Sequence, residues 1–123
     1  MTSESEYEKL PEMTQYVLGL FRRAPNRADI PEPEADRIQE GHMGNLRRLT
    51  ELGELITAGP FEEEGDLRGA MIFSTGKVER ARELCANDPA LREGRLVLDL
   101  FTWFAPTGLR VVPVSSSPAS ADA

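Results

Sequence analysis

The run Leu96–Ala105, LVLDLFTWFA, constrains the fold of this chain more than any other stretch. Side chains in a strand alternate between two faces. Leu96, Leu98, Leu100 and Phe104 fall on one parity, and Val97, Phe101 and Trp103 on the other. A strand apolar on both parities needs cover on both faces. Gln15–Arg23, QYVLGLFRR, repeats the pattern, with Tyr16, Leu18 and Leu20 on one face and Val17 and Phe21 on the other. Two further strands read as a hairpin. Leu55–Phe61 closes on a Gly-Pro pair, where Pro60 has no N–H to give a ladder. Arg68–Thr75, centred on Ala70, Met71, Ile72 and Phe73, follows an acidic turn around Gly65.

Two helices are predicted between the strands. Ala24–Pro33 is a loop punctuated by Pro25, Pro31 and Pro33. Pro33 suits a first helical turn, and Glu34 and Asp36 complement the positive end of the helix dipole. The helix runs to about Leu52, with Gly53 as its stop. Its apolar stripe is Ile38, His42, Leu46 or Asn45, Leu49 and Leu52. The second helix, Lys77–Ala86, turns Val78, Ala81, Leu84 and Cys85 inward. Asn87-Asp88-Pro89 breaks it, and Ala90–Gly94 makes one further turn. The order strand, helix, strand, strand, helix, strand is a split pair of β-α-β units, an α+β ferredoxin-like sandwich. Its helices cover one sheet face. The other face is apolar and is predicted to meet a second copy in a homodimer.

The length, 123 residues, implies one domain. We place it at 14–112, after a mobile leader at 1–13 and before a low-complexity tail, 113–123, expected to be disordered. A formal charge of −7 argues against nucleic acid and anionic membranes as partners. No apolar run approaches the roughly 18 residues of a membrane span. The acidic N-terminus is unlike a signal peptide, and the single cysteine excludes an internal disulfide, so a cytoplasmic location is expected. One histidine and one cysteine give no zinc spacing, and no phosphate-binding glycine loop is present, so neither metal nor cofactor is expected.

His42 is the only histidine, and it stands where a leucine would be the simple choice. Gly41 and Gly44 flank it, each costing roughly 1 kcal/mol of helix propensity, which suggests close packing nearby. A core histidine bonded to backbone and a reactive imidazole aimed at a pocket both fit. Asp88 before Pro89 suits a helix cap on the amides of Ala90 and Leu91. Gly59 and Pro60 read as a strand terminator or a pocket rim, and Ser74 as a helix cap or a pocket hydroxyl. Arg22, Arg23, Arg47 and Arg48 are a solvated face or a grip for an anion. Cys85 reads as buried packing, and Trp103 as core.

The strand order, the helix bearing HMGNLRRLTELGEL, the TAGPF strand end and the NDPALREG segment together resemble the YCII-related family over about Gln15–Ala105. That resemblance implies a dimeric α+β barrel. It also implies an active pair formed by the first-helix histidine and the aspartate of the Asp-Pro motif, here His42 and Asp88. A branch of that family has an acidic residue before Gly-Pro-Phe, where this chain has Ala58, which places it nearer the histidine-bearing branch. A carboxylate on one imidazole nitrogen fixes the tautomer and frees the other nitrogen for proton transfer. The implied activity is a lyase or isomerase acting on a small molecule without a cofactor. The alternative is a non-catalytic ligand-binding or accessory protein of the same fold. The long Ala24–Pro33 loop departs from compact family members, so no substrate carries over.

Overall fold

The computed structural model describes residues 11–26 and 29–114. Most of the expected leader and tail therefore lies outside the described residues. Four strands and three helices follow in the order β1 (Met13–Arg23), α1 (Glu32–Glu51), β2 (Leu55–Pro60), β3 (Leu67–Phe73), α2 (Val78–Leu84), α3 (Pro89–Arg92) and β4 (Leu96–Pro106). The sheet order is β2-β3-β1-β4, with every neighbouring pair antiparallel. This is the ferredoxin-like α+β arrangement: the long strands β1 and β4 pair along their whole length, and the β2–β3 hairpin joins β1 from the other side. β1 begins earlier than expected, because Met13 and Thr14 pair with Pro106 and Ala105.

The alternation in β1 decides which side chains the helices cover. Val17 and Phe21 face inward, with Met71 and Phe73 of β3, Leu55 of β2, Leu49 of α1, Ala81 of α2 and its C-cap Cys85. Leu96, Leu98 and Leu100 of β4 pack on this cluster. Gly19 sits among them, where a Cβ would come within 3.3 Å of Leu98, Leu100 and Met71. The opposite face carries Leu18, paired with both Ile72 and Phe101, and Tyr16, paired with Trp103. Phe101 remains 49% exposed and Trp103 39%. Trp103 is thus not a core residue of the single chain. Tyr16 is covered: its hydroxyl donates to the Pro106 carbonyl at 3.2 Å and accepts from the Leu109 amide at 3.1 Å.

α1 ends as expected at Gly53, which has φ +79. Gly53 N–H reaches the Thr50 carbonyl, and Glu54 N–H reaches that of Leu49, the paired bonds of a Schellman stop. The buried stripe of α1 is Ile38, His42, Asn45 and Leu49. Leu46 is only partly buried, and Leu52, expected on the stripe, is 62% exposed because it is the C-cap beyond the last helical turn. Among the described residues no helix is long and apolar enough to cross a membrane.

Candidate functional site

Residues 46 positions apart in the chain meet beneath the middle of α1. His42 Nδ1 lies 2.7 Å from Asp88 Oδ2. Asp88 is fully buried and His42 is 7% exposed. Asp88 is also the N-cap of α3: its Oδ1 accepts from the Ala90 amide at 2.9 Å. The backbone carbonyl of Asp88 accepts from Leu91 and Arg92, so its side chain does not reach the second expected amide. Pro89 suits the first position of this four-residue helix, where no N–H is needed. The cap and the imidazole contact use different carboxylate oxygens, and so coexist.

Gly41 explains how the two segments come so close. A Cβ there would lie 2.6 Å from Pro89 Cγ. The missing side chain lets α1 seat directly on Pro89, the neighbour of Asp88. Gly44, by contrast, has nothing within 4 Å of a built Cβ. Close packing beside His42 therefore accounts for one of the two glycines. Phe21 supports the ring from the sheet, edge-on, with centroids 5.0 Å apart and planes at 81°.

An ionised carboxylate only accepts, so this contact fits the tautomer that carries its proton on Nδ1. In the neutral ring Nε2 then carries a lone pair. Nε2 has no hydrogen-bond partner among the described residues. His42 lines a cavity of about 570 Å³ between α1 and one end of the sheet. Its walls include Phe21, Ile38, Met43, Leu46, Pro60 and Leu96. Gly59 also lines it, so the structure brings Gly59 and Pro60 together with His42.

Ser74 does not join them and is corrected on both readings. It is absent from the cavity wall, and its hydroxyl donates to the carbonyls of Gly53 at 2.9 Å and Glu54 at 3.3 Å. It bridges the α1–β2 corner and does not cap α2, whose N-cap is Lys77. Of the four arginines considered from sequence, Arg22 pairs with Asp99 at 2.5 Å on the open sheet face, and Arg48 donates to Asn45 Oδ1 at 2.8 Å. None of the four lines the cavity; Arg68 and Arg95 do. Neither Arg68 nor Arg95 carried a signal in the sequence. Asn45 leaves its buried Nδ2 unbonded among the described residues.

Cys85 lies close to the pair and is buried. Burial first, and the Asp88 charge second, push its thiol up to about 12. Among the described residues no group of three or more His, Cys, Asp or Glu side chains is placed to hold a metal ion.

No protein-family model and no curated protein sequence matches the chain. Among solved structures, the chain is similar to 5-chloro-2-hydroxyhydroquinone dehydrochlorinase (TftG) from Burkholderia phenoliruptrix AC1100 in complex with 2,5-dihydroxybenzoquinone, at 19% identity and a TM-score of 0.47. The match covers 73% of this chain and 93% of that one. A likeness at that level lends no residue role to this chain.

Proposed function

We propose that this chain is a small-molecule enzyme of lyase or isomerase type, a relative of the YCII-related proteins it resembles. His42 moves the proton and Asp88 holds the ring. The observation that carries the reading is one imidazole with its Nδ1 2.7 Å from a buried carboxylate, lining a cavity large enough for a small substrate. Asp88 keeps Nδ1 protonated and stabilises the imidazolium that forms when Nε2 takes a proton. The same nitrogen returns the proton to a neighbouring atom, giving isomerisation, or the leaving group departs, giving elimination. Gly59 and Pro60 form part of the substrate's wall. The working unit is a cytoplasmic homodimer, closed over the open sheet face at Leu18, Phe101 and Trp103; the exposure of Phe101 and Trp103 supports it.

The test is a thermal-shift screen of small phenolic and carboxylic compounds, with product analysis of every hit. His42→Ala and Asp88→Asn should each lower turnover by about a hundredfold or more, with the dimer retained by light scattering. Asparagine can still cap Ala90, but its amide would face Nδ1 with a donor and favour the wrong tautomer. Unchanged turnover in both variants would remove the proposal. Binding without conversion by the unaltered chain would favour the ligand-binding alternative.

A further inference from the structure

We propose that the cavity beside His42 receives a small organic anion, with the acid group at Arg68 and Arg95 and an apolar body against Phe21, Leu46 and Pro60. This names the substrate class for the proton-transfer reading and rests on it for its catalytic meaning; the binding itself does not require His42 to react.

The first observation is charge segregation. The chain carries 21 acidic and 14 basic residues. The cavity wall inverts that balance. Among the described residues its formally charged members are Arg68 and Arg95, and no Asp or Glu lines it. Asp88, the nearest acid to the ring, is fully buried behind His42, with one oxygen on Nδ1 and the other on the Ala90 amide. An entering anion therefore meets no acidic side chain on the wall among the described residues.

The sheet register supplies the second observation. Gly69, next to Arg68, pairs with Phe21 and with Pro60. Leu96, next to Arg95, pairs with Arg23. Both arginines thus stand at the end of the sheet where β1 finishes, one on either side of it. The β1–β3 register also slips at this point: Phe21 faces Gly69, but Arg22 faces Leu67. Arg68 is the extra residue of that irregularity. A bulge breaks strict alternation and re-aims a side chain, which is how a strand whose covered face is Gly69, Met71 and Phe73 also brings Arg68 to the cavity wall.

The surroundings of Arg68 suit the role. Arg68 Nη1 donates to the Gly65 carbonyl at 3.3 Å, which restrains the guanidinium and leaves it other N–H groups. The backbone N–H of Arg95 donates to the Ala90 carbonyl at 2.9 Å. Ala90 is also the residue whose amide holds Asp88, so the second cation and the imidazole's partner hang from one short helix. A carboxylate or phenolate seated at the arginines would present an adjacent C–H or O–H toward His42. Guanidinium groups also stabilise negative charge that grows when the proton leaves.

The experiment titrates the full ¹⁵N-labelled chain with benzoate and, separately, with benzyl alcohol, a neutral probe of the same ring. Benzoate should shift the amide signals of Ala58, Gly69 and Leu96 and bind more tightly than benzyl alcohol. Arg68→Gln and Arg95→Gln should each weaken benzoate about tenfold, the usual weight of a charge-assisted contact, without changing benzyl alcohol. Arg68→Lys should keep most of the affinity. If Arg95→Gln fails to fold, the two Arg68 variants carry the test. Equal binding of the two probes, no response to benzoate, or an unaltered Arg68→Gln would overturn the inference. His42→Ala should hold benzoate to within about twofold. Arg68-dependent benzoate binding in a chain that converts no compound would sustain the anion site while ending the proton-transfer proposal.

Discussion

Two acid–base pairs lie on opposite sides of the sheet, His42–Asp88 under the helices and Arg22–Asp99 on the open face, and they are built in opposite ways. On the covered face, Asp88 is held by the Ala90 amide and the seat of Pro89 against Gly41 before it meets His42. The side chains are 9% and 0% exposed. On the open face, Arg22 and Asp99 are adjacent-strand neighbours with side chains 40% and 34% exposed. Their two contacts, 2.5 and 3.2 Å, are made with each other. That partnership raises the Arg22 pKa and lowers that of Asp99, chiefly through the hydrogen bond. The comparison teaches what positions a polar group for chemistry: support from backbone and packing, and one atom left for a visitor. The open pair has geometry without such support, and water competes for it.

The largest effect expected from breaking this contrast is Asp88→Ala. It uncaps α3 and strands the buried Nδ1 of His42, and should cost about 3 kcal/mol in urea unfolding. Arg22→Gln, in contrast, should leave the urea midpoint unchanged within error at dilutions where the single chain predominates, because its half-exposed pair contributes little there. A loss in the dilute chain as large as that of Asp88→Ala would break the contrast.

Gly41→Ala comes next. The added methyl cannot fit beside Pro89 without a shift, and overpacking of this kind costs about 1–3 kcal/mol. The His42 ring signals should move with it. Pro89→Ala removes the offending Cγ, so the double variant should recover both stability and ring signals toward the original. If the two changes simply add, the Gly41–Pro89 seat does not position Asp88.

A smaller, kinetic effect tests the covered face from Cys85. With its thiol pushed up to about 12, native protein at pH 8 should react with a disulfide reagent far more slowly than protein in urea. Linkage gives the sign in stability. The folded pKa lies above the ordinary thiol value of 9.0, so the folded state is disfavoured progressively as pH rises from about 9 toward 12. Rapid labelling of the native chain would mean that this side of the core opens.

Much of the fold was legible because it rests on local periodicity. The two-residue alternation in Gln15–Arg23 and Leu96–Ala105 identified the long strands, and Gly53, Gly65 and Asp88-Pro89 marked the breaks. The stripe of α1 was less determinate, because Asn45 and Leu46 both lie on the His42 side of the helix; burial chose Asn45. Trp103 was misread because an apolar strand position does not say which face the helices cover. The cavity was illegible beyond His42, Gly59 and Pro60. Its arginines arrive through a register slip at Arg68 and through the packing of α3, both tertiary events with no period in the sequence. Ser74 failed for the reverse reason: two backbone carbonyls of the α1–β2 corner claim its hydroxyl.

The central claim is that a carboxylate holds His42 in one tautomer with the other nitrogen open to the cavity. The most direct measurement is the side-chain ¹⁵N spectrum of His42, the only histidine in the chain, recorded with and without benzoate. The account predicts a protonated Nδ1 and a bare Nε2 whose signal responds to the ligand, with the tautomer reversed or mixed in Asp88→Asn. A ring protonated on Nε2, or one blind both to the ligand and to Asp88→Asn, would contradict it.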